Sequence, residues 1–466
     1  MHIWTGIYIG SFFILLSLFW YLKLPALSLP YYWDELGVYA PGALYMYDNG
    51  PGLLPAALDP ELSRGHPLLL YFLHACSFRL FGPTLITGHT TALVITTLFL
   101  VLFFIEVFRL LGGWQALAAA AILIAQPLFF AQSALILPEM MLAMCMFMAV
   151  SAFVRNKMGW YIFWGVLAIM TKETGVIIPL GVIAFQVLDY LLQKGDTRSF
   201  AWRKTLLALT PWLSFLLFIS IQRMQNGWFF FPYHMDLMQA GSHHFIILLK
   251  AYSRFVFYLQ GRWMMSAILL LAGPVLLLTL PKDRRRMPML TASIIFIAGG
   301  IFYSMLIFYM SRYILMVLPF LVVSVVIVIA ALREKHWSFI LLVPLLVWAG
   351  WSQMEGDAFH VDTDMGYVKV VGQTEQAVHY TLEQLGRKEK VVANFPLFFA
   401  LKDPRNGYYP NPEAQPVIVE YRKDADYALI TNLGPQLKDF QPGETEIPIK
   451  IFPVFDKEIK LYRLDE

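Results

Sequence analysis

Residues 85–108 read LITGHTTALVITTLFLVLFFIEVF, twenty-four positions with one histidine, His89, near the start and one acid, Glu106, near the end. An α-helix needs about 20 mostly apolar residues to cross the hydrocarbon core of a bilayer, so this stretch reads as a transmembrane helix. Working outward, ten further stretches read the same way: 3–22, 114–135, 139–154, 159–171, 174–192, 205–222, 263–280, 288–309, 313–332 and 337–352. The spans 139–154 and 159–171 are short, and 66–82 and 243–260 read as extra spans or as helices lying in the interface. Composition agrees. Of 466 residues, 58% are hydrophobic, 16% aromatic and 14% charged, against about 25% charged in an average soluble protein. That balance excludes a water-soluble fold of this size, a disordered chain and a compact nucleic-acid-binding domain.

The net charge of +3 averages two unlike parts. Residues 1–352 hold 22 bases and 13 acids, whereas residues 353–466 hold 13 bases and 19 acids. The expected organisation is a membrane domain over 1–352 followed by a soluble domain over 353–466. The N-terminal span has no small-residue cleavage site after it and reads as a retained anchor. Bases in short connections mark the cytoplasmic side: Arg109, Arg155, Lys157, Lys194, Arg198, Arg203, Lys204, Lys282, Arg284, Arg285, Arg286, Arg333 and Lys335. The N-terminus is then cytoplasmic, and an odd number of spans puts the tail outside, in the periplasm if the cell has one. Cys76 and Cys145 lie in apolar runs, so no disulfide or metal framework is legible.

The long loops, 23–84 and 223–262, fall on the outer side, where binding or chemistry is expected. In the first of them Tyr31-Tyr32-Trp33-Asp34-Glu35 follows Pro25 and Pro30 and opens an amphipathic stretch ending at Asp48-Asn49-Gly50, which reads as an interfacial helix. Asp34 suits an N-cap and Glu35 a first helical turn. An acid pair beside three aromatic rings equally suits a general base toward a hydroxyl, with rings to hold a sugar face. Further on, Ser63-Arg64-Gly65-His66-Pro67 opens a helix closing on Phe81-Gly82, with Arg64 and Arg79 placed to snorkel.

The order of these landmarks resembles the GT-C superfamily of integral membrane glycosyltransferases, above all the bacterial relatives of the dolichyl-phosphate-mannose protein mannosyltransferases and the lipid A aminoarabinose transferase. Leu137-Pro138-Glu139-Met140-Met141, Thr171-Lys172-Glu173-Thr174-Gly175 and Ser311-Arg312-Tyr313-Ile314-Leu315 with Pro319 follow in the same order, and the likeness covers most of residues 1–335. It implies Asp34 as catalytic carboxylate with Glu35 its neighbour, Glu139 as a second acid, Lys172 as a basic group near the outer surface, and Arg312-Tyr313 as a recurrent pair. His66-Pro67 sits at a Pro-containing motif whose second Pro is here Leu68. Such enzymes take a sugar from a polyprenyl-phosphate carrier and pass it to a lipid, glycan or protein acceptor, with inversion. Lys172, Arg262, Arg312 and Arg64 are the cations that would steady the departing phosphate, and Trp33, His66, Glu139 and Tyr313 complete the expected substrate-binding set.

The expected fold is therefore an all-α polytopic GT-C-like membrane protein of about eleven transmembrane helices, with interfacial helices in the first outer loop and a small C-terminal α/β domain. In that domain a helix is expected over 366–386 and strands over 390–395, 416–421, 426–431, 447–455 and 459–464, with no catalytic constellation. No cofactor is called for; a divalent ion on His234, Asp236, His243 and His244 is the less favoured reading, because no metal-motif spacing supports it. A lipid or sugar transporter (flippase) would call for ionisable groups in mid-span and an internal repeat, neither of which is evident. A non-catalytic assembly protein is the third reading.

Overall fold

A computed structural model of the chain describes residues 2–192, 201–241, 245–279, 286–306, 310–331, 337–356, 361–386, 389–410, 415–434 and 447–464. Helix α1 (His2–Lys23) runs into a 3-10 turn, Leu24–Ser28, and the chain then extends to Trp33. A π-helical turn, Glu35–Tyr39, leads directly into α2 (Ala40–Asn49), which Gly50 ends at a φ of +117°. After α3 (Pro60–Ser63) and α4 (Leu69–Phe81) comes α5 (Leu85–Leu111), the opening stretch of the sequence reading. The expected span 114–135 is broken in two, α6 (Gly113–Ile124) and α7 (Pro127–Gln132), because Pro127 cannot continue a helix.

The next elements are α8 (Pro138–Val154), α9 (Met158–Thr171), α10 (Ile177–Leu192), α11 (Trp202–Ala208), α12 (Pro211–Asn226), α13 (Pro232–Gly241), α14 (Phe245–Phe257), α15 (Arg262–Thr279), α16 (Arg286–Met305), α17 (Leu318–Ala331) and α18 (Trp337–Trp351). Every one of the eleven expected spans is helical over most of its length. Among the described residues six helices are long and apolar enough to cross a bilayer, or seven if the bent pair α14–α15 is one span. That pair turns by 89°. Gly261 makes the corner at a φ of +77°, and a Cβ there would lie 2.1 Å from the Ala349 carbonyl oxygen.

The core is built around α8 and α17, which have no polar face and are buried on all sides. They meet through Phe147 and Phe320, ring centroids 5.5 Å apart. A 3-10 segment, Ser311–Val317, delivers the chain into α17. Glu139 at the start of α8 and Arg312 at the start of this segment consequently lie at the same end of the bundle.

Beyond α18 the chain forms α19 (Tyr367–Gln384), β1 (Lys390–Ala393), α20 (Leu397–Lys402), β2 (Val417–Val419), β3 (Tyr427–Thr431), β4 (Lys450–Val454) and β5 (Lys457–Arg463). Four of the strands fall within the expected stretches and β5 starts two residues ahead of its own; α20 lies in a segment where no element was expected. The sheet order is β2-β1-β3-β5-β4. β1 is parallel to β2 and β3, whereas β5 is antiparallel to β3 and β4, with Leu429 opposite Leu461. Helix α19 covers one face, Tyr380 meeting Phe452 edge to face at 5.9 Å.

This small domain clasps the first loop. The Tyr31 amide donates to the Asn406 carbonyl at 3.0 Å, and the Tyr408 hydroxyl donates to the Tyr31 carbonyl at 2.9 Å. Tyr32 stacks on Tyr367 at 5.6 Å and Trp33 meets Phe395 edge-on at 5.0 Å. The stretch 31–40, expected to lie in the interface, is instead buried almost throughout beneath α20 and α19. Of the bases used to orient the chain, Lys194, Arg198, Lys282, Arg284, Arg285, Arg333 and Lys335 lie outside the described residues, as do His243 and His244.

Candidate active site

Trp33 has a φ of +51°, a left-handed conformation uncommon for a bulky residue. The π-turn that follows is a geometry concentrated at functional sites. Together they send two adjacent carboxylates in different directions. Asp34 occupies the N-cap position but accepts no capping bond, which corrects the capping expectation; its Oδ2 accepts from Arg312 Nη2 instead. Glu35 turns inward. Its Oε1 accepts from the Ile136 amide at 2.7 Å and from His89 Nε2 at 3.1 Å, and its Oε2 accepts from the Tyr32 amide at 3.2 Å. The other His89 nitrogen faces the Leu27 carbonyl at 3.1 Å. His89 thus bridges the Glu35 carboxylate and the Leu27 carbonyl, both side chains being buried. The Asp34 side chain is 20% exposed and that of Glu35 0%. Glu35, expected beside Asp34 as a catalytic carboxylate, is therefore sealed under the loop, and Asp34 alone of the pair is partly exposed.

Arg312 is buried and touches three carboxylates. Besides Asp34, it donates from Nη1 to Asp362 Oδ2 at 2.7 Å and from Nε to Glu139 Oε1 at 3.4 Å. The same Glu139 oxygen accepts from Lys172 Nζ at 2.7 Å, while Glu139 Oε2 is buried with no hydrogen-bond partner. Lys172 also lies over the Tyr313 ring, 4.0 Å from its centroid. Lys172 reaches Glu139 because the chain leaves α9 in extended form and folds back through a 3-10 turn, Glu173–Val176. Gly175 makes this feasible, since a Cβ there would lie 2.6 Å from the Ile169 backbone nitrogen. Burial pushes the Asp34 carboxyl upward, but the Arg312 guanidinium outweighs it and holds the group below its ordinary value. Burial wins at Asp362, which is pushed up to about 6 against the pull of the same guanidinium.

Beside the cluster lies a cavity of about 320 Å³ lined by Arg64, His66, Lys172, His234, Tyr303 and Tyr313, with phenylalanines from α12 and the segment before α13 as its apolar wall. His66 Nδ1 lies 2.9 Å from Glu173 Oε2, and its ring centroid is 5.1 Å from that of His234. Burial and the neighbouring His66 push the His234 imidazole down to about 4. Among the described residues no group of three or more His, Cys, Asp and Glu side chains is arranged to hold a metal ion.

The structure thus gathers Asp34, Glu139, Lys172, Arg312 and Tyr313, with Arg64 and His66 along the adjoining cavity. Trp33 stands at the loop's edge against Phe395. Arg262 does not join them. Its guanidinium is buried at the α14–α15 corner, donating to the Phe255 carbonyl at 2.9 and 2.6 Å and to Gln260 at 3.0 Å. Asp362, absent from the expected set, does join. Its only trace in the sequence is a pair of acids, Asp362 and Asp364, close after the last span.

Residues 65–222 match the sequence pattern of the family described as dolichyl-phosphate-mannose-protein mannosyltransferase, a segment that contains His66, Glu139 and Lys172. No curated protein matches the chain in sequence. Among solved structures, ArnT from Cupriavidus metallidurans bound to undecaprenyl phosphate superposes with a TM-score of 0.59 at 14% identity, over 97% of both chains. The same protein in its apo state gives 0.62 at 13% identity, over 98% of both. At such identity the likeness is one of fold. The chain thus shares its fold with the aminoarabinose transferase ArnT and, over residues 65–222, its sequence pattern with the protein mannosyltransferases, so it is similar to membrane proteins of the GT-C type.

Proposed function

We propose that the chain is a glycosyltransferase that takes a hexose or pentose from a polyprenyl-phosphate donor at the outer face of the cytoplasmic membrane and transfers it, with inversion, to a hydroxyl or phosphate of a lipid, glycan or protein. The N-terminus is cytoplasmic and the C-terminal domain extracytoplasmic. The observation that carries this reading is the Asp34–Arg312–Glu139–Lys172 cluster, one accessible carboxylate paired to a buried guanidinium beside a cation-lined cavity.

The chemistry follows from those groups. An acceptor oxygen attacks the anomeric carbon while the bond from that carbon to the phosphate oxygen breaks, and the lipid phosphate departs with the electron pair. Asp34 takes the acceptor proton. It is a poor base while Arg312 lies on it, so the incoming phosphate, by drawing Arg312 away, is what restores its basicity. Arg312, Lys172 and Arg64 then face the charge that grows on the leaving phosphate, in a site from which water is largely excluded. The unpartnered Glu139 Oε2 suits a sugar or acceptor hydroxyl as donor. An apolar groove of about 610 Å³ between α14, α15, α16 and α17, lined by Leu249, Leu270, Ile294, Ile301 and Met305, suits a prenyl tail. The ArnT structure with undecaprenyl phosphate supports a donor of this class.

The test is Asp34→Asn. Transfer should fall by about 100-fold or more, the usual worth of a positioned base, with membrane insertion retained. Mass spectrometry of membrane lipids and glycans from cells with and without the chain names the sugar and acceptor; retained transfer by the variant would sink the base assignment.

A further inference from the structure

Asp362 does not belong to the membrane bundle. It lies on a short strap, Val361–Met365, between α18 and α19, and Asp362, Thr363 and Asp364 are all 2% exposed. The strap is threaded into the bundle by groups from three separate elements. Gln132 Nε2 donates to the Asp362 carbonyl at 3.4 Å, Gln260 Nε2 to the Thr363 carbonyl at 2.7 Å, and Lys23 Nζ approaches Met365 Sδ at 3.9 Å. Asp364 Oδ1 accepts from the Gly366 amide at 2.9 Å, turning the chain into α19. The strap is therefore fixed without Asp362's carboxylate, whose ion-pair partner among the described residues is Arg312.

The charges at this point do not balance. Among the described residues in direct contact, Asp34, Glu139 and Asp362 are three carboxylates against two cations, Arg312 and Lys172, while Arg64 acts on Asp34 from further off. Lys172 leans on Glu139, so Arg312 is shared mainly between Asp34 and Asp362. Among the described residues, the phenols of Tyr32 and Tyr367 also face Asp362 and bring no positive charge. A buried cluster with one anion too many is poorly disposed to admit another anion. A lipid phosphate can settle on Arg312 only if one carboxylate gives way, and Asp34 has to stay as base.

We propose that Asp362 is a positioning residue that holds Arg312 in the empty site and is replaced on that guanidinium by the donor's phosphate. It acts as a stand-in anion supplied by the C-terminal domain. This rests on the reading above that Arg312 receives the lipid phosphate. In the empty site Asp362 keeps the guanidinium aligned between Asp34 and Glu139; when phosphate arrives, Asp362 is the carboxylate that yields, and the proton-holding tendency that burial gives it eases the exchange.

The experiment uses the full chain in nanodiscs and measures undecaprenyl phosphate binding to wild type, Arg312→Gln and Asp362→Asn. Arg312→Gln should weaken binding about tenfold or more. Asp362→Asn, which keeps an oxygen for Arg312 but removes the competing charge, should tighten it by about fivefold or more, a change a merely structural brace would not produce. If Arg312→Gln weakens binding and Asp362→Asn leaves it unchanged or weaker, the stand-in role is overturned while the phosphate site survives. If Arg312→Gln binds as wild type does, the phosphate reading fails and this proposal with it. Should Asp362→Asn not fold, Asp362→Ser, smaller and still a hydrogen-bond acceptor, is read by the same criteria.

Discussion

Helix α8 carries a buried carboxylate network at each end, and the two networks are built to opposite rules. At its start, Glu139 meets Lys172 and Arg312. About 18 Å further along, at 1.5 Å per residue, Ser151 donates to Glu106 Oε2 at 2.7 Å, and Arg155 and Arg109 bind the same carboxylate at 2.9 Å. Around Glu106 two cations meet one anion, every carboxylate oxygen is taken, and the arginines are 59% and 38% exposed. Around Glu139, among the described residues, three carboxylates contact two cations, one oxygen has no partner, and those two cations are sealed in. A buried ion pair by itself says little about function. Surplus charge and an unmet buried acceptor say more, because a fold tolerates both only where something else arrives to satisfy them.

Substitutions at the two ends should therefore diverge. The largest effect is expected from Lys172→Met, which leaves the buried Glu139 to share a single guanidinium with two other carboxylates. Removing one partner of a buried pair typically costs about 3–5 kcal/mol, so the variant should melt well below wild type and lose transfer as well. Glu106→Gln should cost less, about 1–3 kcal/mol, because its arginines reach water, and transfer per folded molecule should match wild type. Equal loss of transfer at both ends would break the contrast. The smallest effect is in the pH dependence of melting. Asp362 holds its proton more tightly when folded than when unfolded, so its contribution to stability declines as pH rises from about 4 to 6. Asp34 runs the other way. Its contribution is present above the ordinary carboxylate range and is lost as pH falls through its depressed value. Asp362→Asn should flatten the decline between about pH 4 and 6 and leave the acid limb in place; an unchanged profile would mean that Asp362 is not the group titrating there.

What the sequence made legible divides along physical lines. Helices such as α5 and α17 are plain in it because apolar length alone specifies them, and the five strands because alternation and flanking prolines do. The assembly of Asp34, Glu139, Lys172 and Arg312 was within reach through the order of short motifs that the chain shares with the GT-C proteins. Three things were not. Asp34 and Glu35 are neighbours in the chain, and only the left-handed turn at Trp33 with the π-turn after it decides which of them faces the site. A base opening a helix reads the same whether it meets carboxylates or a carbonyl, so Arg262 was indistinguishable from Arg312. Asp362 lies in a strap with no periodicity, and its role exists only through the fold that carries it back to the bundle.

The clasp of the C-terminal domain on Tyr31 and the insertion of the strap also set the order in which this protein becomes competent. Asp34 is made early, Asp362 more than three hundred residues later. At ordinary rates of synthesis, about 5–20 residues per second, the two are separated by some tens of seconds. During that interval the membrane helices can already be in place while the site still lacks its outer wall, the hold on its first loop and the third carboxylate on Arg312. A chain cut short before residue 362 would keep its membrane motifs and lack these contacts, so completion of the last domain doubles as the step that closes the first.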